Sequence, residues 1–166
     1  MVITIHEYRA TDWPSIWPIL EAIVRRGDSY AFSPDMPETE MRHIWVEVTS
    51  AAYVAELDGE IVGTYYIKPN QPRLGDHICN CGYAVSERAR GKGVASAMCE
   101  HSQQIAIISG FHAMQYNFVV STNESAVRLW KKHGFEIIGT IPEAFRHPTQ
   151  SFVDAFIMHK TLTSEP

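Results

Sequence analysis

The residues best suited to chemistry stand together in one glycine-containing stretch near the middle of the chain. Residues 83–95 read YAVSERARGKGVA and run from a predicted strand into the start of a predicted helix. The first amides of a helix have no partner inside it and stand at the positive end of its dipole. Gly91 and Gly93 let the main chain approach a ligand without a Cβ atom in the way. The stretch therefore predicts a site for a pyrophosphate group.

The glycine spacing excludes two common phosphate-binding loops. A Walker A loop needs Ser or Thr after Gly-Lys, whereas Gly93 follows Lys92. A dinucleotide-binding loop needs a third glycine, and Ser96 stands at that position. The ligand is then a different phosphorylated molecule, or the segment is a plain loop that ends with a glycine.

Two motifs point to one family. Residues 88–93, RARGKG, resemble the R/Q-x-x-G-x-G/A motif of the GNAT superfamily of N-acetyltransferases. Further along, residues 122–135, TNESAVRLWKKHGF, resemble the N-x-x-A-x-x-L-Y-x-x-x-G-F motif of the same superfamily. Both occur in the expected order and at the expected separation, with the resemblance strongest over residues 80–156. The chain is identified as a member of this superfamily, which implies acetyl-CoA as its cofactor.

The resemblance also implies which residues contact coenzyme A. Amides from Arg88 through Ala95 would hold the pyrophosphate, and the pantetheine arm would pair with main-chain groups of Ala84 and Val85. Asn123 would hydrogen-bond the arm, or would simply cap the helix that follows it. The implied cofactor-binding residues are Ala84, Val85, Arg88, Arg90, Gly91, Lys92, Gly93, Val94, Ala95, Asn123, Ala126 and Trp130.

Trp130 departs from the family pattern, because it replaces a tyrosine that often protonates the departing thiolate. An indole N–H donates hydrogen bonds but has no usable acidity. Either another group protonates the sulfur, or the thiolate leaves unaided, as a thiol with a pKa of about 8.5 allows. Trp130 then packs against the cofactor or the acceptor, or is an aromatic residue of the core.

Two asparagines and two aromatic residues are candidates for the acceptor pocket. Asn80 and Asn117 stand in strands that the resemblance makes parallel neighbours, and an unpartnered buried amide costs roughly 1–3 kcal/mol. They bind a carboxylate or amide of a small acceptor, or bond the separating strands. Tyr30 and Phe32, between the first two helices, are candidate pocket walls, with loop anchoring as the alternative.

Three further segments resemble one branch of the superfamily. HICNCGY at 77–83, YNFVVSTN at 116–123 and IPEAFRHP at 141–148 are similar to fungal acetyltransferases that detoxify proline analogues such as azetidine-2-carboxylate. This resemblance implies a small, amino-acid-like acceptor. The alternatives are an acetyltransferase for a protein or another macromolecular amine, and an acyl-CoA-binding sensor without catalysis.

The mechanism that we expect is direct transfer in a ternary complex. The acceptor amine loses its proton to a base or a water chain, and the main-chain N–H near Val85 stabilises the oxyanion. The base is not identified; Glu143 and a water held by Asn80 and Asn117 are candidates. The three cysteines are not expected to relay the acetyl group, because none stands in a recognised nucleophile motif with a histidine base.

Composition excludes other classes of function. The net charge of −5 argues against polynucleotide binding. Three cysteines, one C-x-C pair and scattered histidines predict a reduced protein without a metal site. No leader or long apolar run is evident, so we expect a cytoplasmic protein without a membrane partner. A homodimer is common among such relatives, and the sequence leaves the oligomeric state open.

The elements that position these residues form a single predicted domain, residues 1–166, in the order β-α-α-β-β-β-α-β-α-β-β. Hairpins, including one at Asp58-Gly59, alternate with one crossover, which predicts an α+β fold. The GNAT resemblance adds a mixed, mostly antiparallel sheet of six or seven strands with a splayed parallel pair and about four helices. We expect one helix at 38–48, a helix from Val94 to Ser109 and a loop at 142–149. The apolar stripe of the second of these helices is predicted to consist of Val94, Met98, Ile105 and Ile108.

Overall fold

The strands and helices follow the predicted order. The computed structural model describes residues 1–163, so the last three residues of the predicted domain lie outside the described residues. The strands are β1 (Ile3–Glu7), β2 (Ala51–Leu57), β3 (Glu60–Pro69), β4 (Ile78–Val85), β5 (Ala113–Val120), β6 (Glu136–His147) and β7 (Ser151–Thr161). The helices are α1 (Trp13–Arg26), α2 (Glu38–Arg42), α3 (Val94–Ile108) and α4 (Glu124–Lys132). The predicted α+β class is confirmed.

One mixed sheet carries the molecule, with the strand order β1-β2-β3-β4-β5-β7-β6. All neighbouring strands are antiparallel except β4 and β5, which are parallel and joined through α3. These two strands pair only at Ile78 with Ala113 and at Cys79 with Met114. Beyond those pairs they separate, which confirms the splayed parallel pair. Within residues 1–163, no helix is long and apolar enough to cross a bilayer.

Helix α1 covers one face of the sheet. Pro14 lies in its first turn, where a missing N–H costs nothing, and Gly27 ends it in a left-handed conformation with φ of 66°. Ile16 and Leu20 are buried among the apolar residues of this face, which include Trp45 and Tyr66. The helix places its C-terminal end, and the loop after it, beside β4.

The second predicted helix changes character halfway. It is an α-helix from Glu38 to Arg42, and residues His43–Glu47 form a π-helix. Trp45 in this wider turn is completely buried, and its indole N–H donates to Thr64 Oγ1 on β3 at 3.1 Å. This bond anchors the segment to the face of the sheet that α1 also covers.

Helix α3 covers the opposite face, where Val94 and Met98 are buried as predicted but the rest of the buried stripe differs from the prediction. Ile108 is 81% exposed, whereas Cys99 and Ser102 are fully buried. The reason lies below the helix, where Tyr83 on β4 places its hydroxyl 2.7 Å from Ser102 Oγ. A buried hydroxyl needs a polar partner, so a small polar side chain occupies the inner face here.

Strand β6 is longer than predicted. The segment 142–149, expected to be a loop, remains in strand β6 as far as His147. A bulge between Ile141 and Phe145 absorbs Pro142, which has no N–H for the ladder. Within the bulge, Glu143 has φ of 49°, and its amide donates to Asp154 Oδ1 at 2.9 Å.

Candidate active site

A cavity of about 1120 Å³ opens where β4 and β5 separate. Its walls come from both strands, the first turn of α3, helix α4 and the loop after α1. The opening passes through the sheet, because the ladder between β4 and β5 ends after Cys79. A long ligand can therefore reach from the start of α3 to the face that α1 covers.

The main chain of β4 turns alternate residues toward the gap. The carbonyl of Ile78 accepts from Asn70, and the amide of Ser86 donates to Val62, so even-numbered residues of β4 face β3. Odd-numbered residues face the gap. The main-chain groups of Val85 thus face the gap, whereas those of Ala84 are directed at β3. The sequence prediction is corrected for Ala84.

A set of unpartnered amides stands at the start of α3. The amide of Ala97 is the first in this helix to bond within the protein, to the carbonyl of Gly93 at 3.0 Å, and no side chain caps the helix. Gly91 has φ of 72°, and no atom lies within 4 Å of where its Cβ would stand. Between Gly91 and Ser96, five amides have no hydrogen-bond partner among residues 1–163: those of Gly91, Gly93, Val94, Ala95 and Ser96. All five residues line the cavity, and such a set of unpartnered N–H groups at a helix start fits a pyrophosphate.

The first residues of the predicted loop do not belong to this cradle. The amides of Ala89, Arg90 and Lys92 bond carbonyl groups inside the loop itself. The guanidinium of Arg88 lies 3.0 Å from Glu60 and points away from the cavity. The structure therefore corrects the start of the cradle from Arg88 to Gly91. Arg90 lines the cavity, and Lys92 does not.

Two polar side chains just before helix α4 line the opposite wall of the cavity. Thr122 Oγ1 is buried without a hydrogen-bond partner. Asn123 precedes α4 without capping it with its side chain, whose Oδ1 accepts from Ser125 Oγ at 3.3 Å. Its side-chain N–H groups have no such bond and can donate to a ligand in the cavity, which Ala126 also lines. A bound pantetheine arm would supply hydrogen-bond partners for Thr122 and Asn123.

Trp130 lines the cavity and is also part of the core. It is 8% exposed, and its ring centroid lies 4.9 Å from that of Tyr83 and 5.0 Å from that of Tyr116. The hydroxyls of the two tyrosines are 2.9 Å apart, and burial raises the pKa of both. These tyrosines stay protonated and cannot act as bases. Sequence reasoning missed these tyrosines because no motif marks them. One signal was Ser102 on α3, a hydroxyl that needs a polar partner when it is buried.

The cysteines are poor nucleophiles. Cys79, Cys81 and Cys99 are buried and free, and only Cys81 lines the cavity. Burial raises the pKa of the Cys81 and Cys99 thiols, which keeps them protonated. Within residues 1–163, no group of three or more His, Cys, Asp or Glu residues is placed to hold a metal ion.

The two asparagines line the far end of the cavity but differ in burial. Asn80 is 8% exposed and crosses the gap, because its Nδ2 donates to the carbonyl of Gln115 at 3.0 Å. Its Oδ1 accepts from Tyr66 at 3.4 Å. Asn117 is exposed, and its Nδ2 donates to Asn70 Oδ1 at 2.6 Å. The expected pair of buried amides is therefore corrected to one buried and one exposed.

The loop after α1 closes over this end. Tyr30 and Phe32 line the cavity with stacked rings, whose centroids are 5.4 Å apart. The Tyr30 hydroxyl accepts from the amide of Tyr83 at 2.9 Å and donates to its carbonyl at 2.7 Å. Both predicted pocket walls thus face the gap, and one of them bonds the strand edge directly.

The candidates for a base are not equally placed. Glu143 does not line the cavity, whereas His147 from the same strand does. The amide of Thr149 donates to His147 Nδ1 at 3.2 Å. Of the two candidates from the sequence, a water held by Asn80 and Asn117 stays a prediction.

Positive side chains dominate the cavity of an acidic chain. Among residues 1–163, Asp28 is the one carboxylate in its lining, and it lies 3.6 Å from Arg26. The remaining cations in the lining are Lys68, Arg90 and Lys132. Since the whole chain carries a net charge of −5, this local excess of positive charge favours anionic ligands.

Comparison with known proteins places these features in a family. Residues 5–135 match the family described as acetyltransferase (GNAT). N-acetyltransferase aca1 of Schizosaccharomyces pombe is 37% identical over 98 residues, which are 58% of this chain and 47% of that protein. The match thus spans about half the length of that relative. L-amino acid N-acetyltransferase AaaT of Escherichia coli is 30% identical over 128 residues, covering 70% of this chain and 74% of that protein.

A solved structure extends the similarity to nearly the whole chain. The structure of a GCN5-related N-acetyltransferase from Kribbella flavida superposes with a TM-score of 0.91 at 37% sequence identity. The superposition covers 96% of this chain and 97% of that one.

Proposed function

The chain belongs to the acetyltransferase (GNAT) family, whose cosubstrate is acetyl-CoA, and we propose that it acetylates the amine of a small, amino-acid-like molecule in a ternary complex. One observation carries the proposal. A single cavity connects the unpartnered amides at the start of α3 with the pocket behind Tyr30 and Phe32. The donor and the acceptor can therefore meet inside the sheet.

The residues of the cavity suggest how each part of acetyl-CoA is held. The amides from Gly91 to Ser96, without that of Lys92, bind the pyrophosphate. Val85 offers its main-chain groups to the pantetheine arm from one side, and the Thr122 hydroxyl and the Asn123 side-chain N–H groups face it from the other. Each of these groups lacks a protein partner, so binding satisfies polar atoms that are otherwise left over.

The chemistry needs one bond to form and one to break. The neutral amine nitrogen attacks the carbonyl carbon of the thioester, the C–S bond breaks, and the sulfur leaves as a thiolate. The amine proton passes to water at the end lined by Asn80 and Asn117. The main-chain N–H of Val85 faces the gap and is placed to donate to the carbonyl oxygen as charge develops on it, whereas that of Tyr83 donates to the Tyr30 hydroxyl.

The aromatic residues around Trp130 offer no acid of ordinary pKa for the leaving sulfur. Trp130 has no acidic proton, and burial raises the pKa of Tyr83 and Tyr116. A thiol with a pKa of about 8.5 leaves as a thiolate near neutral pH without such help. Catalysis then rests on the orientation of the two substrates and on the main-chain N–H of Val85.

A small acceptor is favoured over a macromolecule. The relative AaaT is named as an L-amino acid N-acetyltransferase. The loop that carries Tyr30 and Phe32 also covers the acceptor end, which leaves little room for a folded partner. Cytoplasmic location and a homodimer stay predictions from the sequence.

A coupled thiol-release assay tests the proposal. Acetyl-CoA is mixed with a panel of amino acids, proline analogues, amino-acid amides and short peptides, and free thiol is measured over time. We expect turnover with free amino acids or proline analogues. Turnover with peptides alone would favour a macromolecular acceptor. Tight binding of acetyl-CoA without turnover of any amine would favour a sensor.

A further inference from the structure

Lys68 is a half-buried cation in the wall of the cavity without an acidic partner. It stands on β3 opposite Asn80 on β4, so both side chains project from the same face of the sheet. Among residues 1–163, no carboxylate lies within ion-pair distance of its ammonium group. A charge held in this way is available to a ligand.

The ammonium group leans toward the reacting end of β4. Lys68 Nζ lies over the ring of Tyr66, 5.4 Å from its centroid. That ring lies against Gly82, because a Cβ built on Gly82 would stand 2.5 Å from Tyr66 Cε1. Gly82 directly precedes Tyr83, whose N–H faces the gap. The cation is thus held beside the place where the acetyl group is transferred.

The other cations of the cavity are already engaged or lie elsewhere. Arg26 is paired with Asp28 at 3.6 Å. Arg90 lies in the cradle loop, 3.8 Å from Glu87. Lys132 adjoins His133, whose ring bonds Ser96 in the first turn of α3 at 2.7 Å. These positions leave Lys68 as the cation that faces an acceptor.

We infer that Lys68 binds a free carboxylate on the acceptor, so that the substrates are amino acids and not amines in general. The inference rests on the proposed function and narrows its substrate class. In an α-amino acid one carbon separates the amine from the carboxylate, so an anchor beside Gly82 holds the amine next to the thioester. A carboxamide cannot form this ion pair and leaves the ammonium unpaired.

Matched substrates and a charge-removing variant test the inference. The substrates are L-proline with L-prolinamide and L-methionine with L-methioninamide, each assayed with acetyl-CoA. Lys68→Met keeps the apolar stem and removes the charge. We expect its KM for the free acids to rise at least about tenfold, with the carboxamides and the KM of acetyl-CoA unchanged. Lys68→Arg restores the preference for acids. Lys131→Met, an exposed residue outside the cavity, is the control for loss of one charge.

Two results would overturn the inference while leaving the proposed function intact. One is a wild-type enzyme that acetylates the carboxamides as well as the free acids. The other is an equal loss for acid and carboxamide in Lys68→Met. If no amine is acetylated, the proposed function fails. The carboxylate site at Lys68 is then tested by calorimetric titration of the same acids into coenzyme A-saturated protein. Weaker binding to Lys68→Met then supports the carboxylate site, and equal binding refutes it.

Discussion

The hydroxyl of Tyr30 bonds both main-chain polar groups of Tyr83, accepting from the amide at 2.9 Å and donating to the carbonyl at 2.7 Å. A side chain from the loop after α1 therefore occupies the hydrogen-bonding position that a neighbouring strand would fill. The position of the hydroxyl oxygen also shows where a ligand atom could accept a hydrogen bond from the Tyr83 N–H. The Tyr30 hydroxyl therefore connects the loop after α1 to the edge of β4 that lines the cavity.

Tyr30→Phe should lower the stability of the free protein but increase the stabilisation that acetyl-CoA provides. Removing the hydroxyl leaves the Tyr83 amide and carbonyl without their partner, which costs about 1 kcal/mol of folding free energy. Acetyl-CoA competes with no hydroxyl in the variant, so it should raise the melting temperature more than in the wild type. Thermal unfolding with and without acetyl-CoA measures both effects.

Tyr8→Phe is the matched control, because the Tyr8 hydroxyl is buried without a hydrogen-bond partner. Its removal should not lower stability. If Tyr30→Phe and Tyr8→Phe behave alike, the bond between Tyr30 and Tyr83 has no energetic weight.

Gly91→Ala should weaken acetyl-CoA binding, and Gly110→Ala should not. Both glycines have positive φ, 72° and 86°, and neither would place a Cβ within 4 Å of another atom. The backbone strain of alanine, about 1 kcal/mol, is therefore similar at the two sites. The added methyl group at Gly91 enters the space of the phosphates, so we expect a dissociation constant at least about tenfold higher. Isothermal titration calorimetry gives the comparison, and equal affinities would remove the pyrophosphate from this loop.

Asn80→Ala and Asn117→Ala should separate stability from acceptor binding. Asn80 is buried and bonds the Gln115 carbonyl across the gap, so its loss should cost about 1–3 kcal/mol of folding free energy. Asn117 is exposed, and its loss should change stability little while raising the KM of the acceptor more than that of acetyl-CoA. Chemical denaturation and steady-state kinetics measure the two effects. An equal rise of both KM values for Asn117→Ala would count against its place in the acceptor site.

His133→Gln should flatten the dependence of stability on acid pH. Desolvation is the main cause that lowers the pKa of His133 below its ordinary value, and Glu100 at 4.0 Å opposes it only in part. The unfolded chain then binds more protons than the folded one. Stability is complete above the ordinary histidine pKa of about 6.5 and decreases as the pH falls toward the lowered folded value.

Melting temperatures between about pH 8 and pH 5 test this expectation. The variant should lose less stability in acid than the wild type. It should keep part of the slope, since burial also lowers the pKa of His101. An unchanged slope would mean that His133 does not contribute.

Local sequence signals predicted the fold well. The hairpin at Asp58-Gly59 forms as the dipeptide indicates, and both residues adopt the left-handed backbone that such turns need. Gly91 and Gly93 likewise have positive φ at the start of α3. These features depend on residues close in the chain, which is why short patterns reveal them.

The contacts that sequence reasoning missed depend on strand register. The direction of the Ala84 main chain follows from which residues of β3 and β4 are paired, and no motif gives that pairing. Asn117 is exposed because β5 is irregular between Tyr116 and Val119, which breaks the simple alternation of faces. The same pairing places Lys68 opposite Asn80. Tertiary geometry, and not residue type, decided each case.

The short ladder between β4 and β5 couples the rigidity of the sheet to its affinity for the cosubstrate. Strands β4 and β5 are joined by the pairs at Ile78–Ala113 and Cys79–Met114, by the bond from the His112 amide to the His77 carbonyl, and by the Asn80 side chain. In the proposed complex, a cosubstrate lying in the gap would join the two halves of the sheet further along. Mutations that loosen this seam therefore alter rigidity and affinity at once, so natural selection cannot tune one without retuning the other.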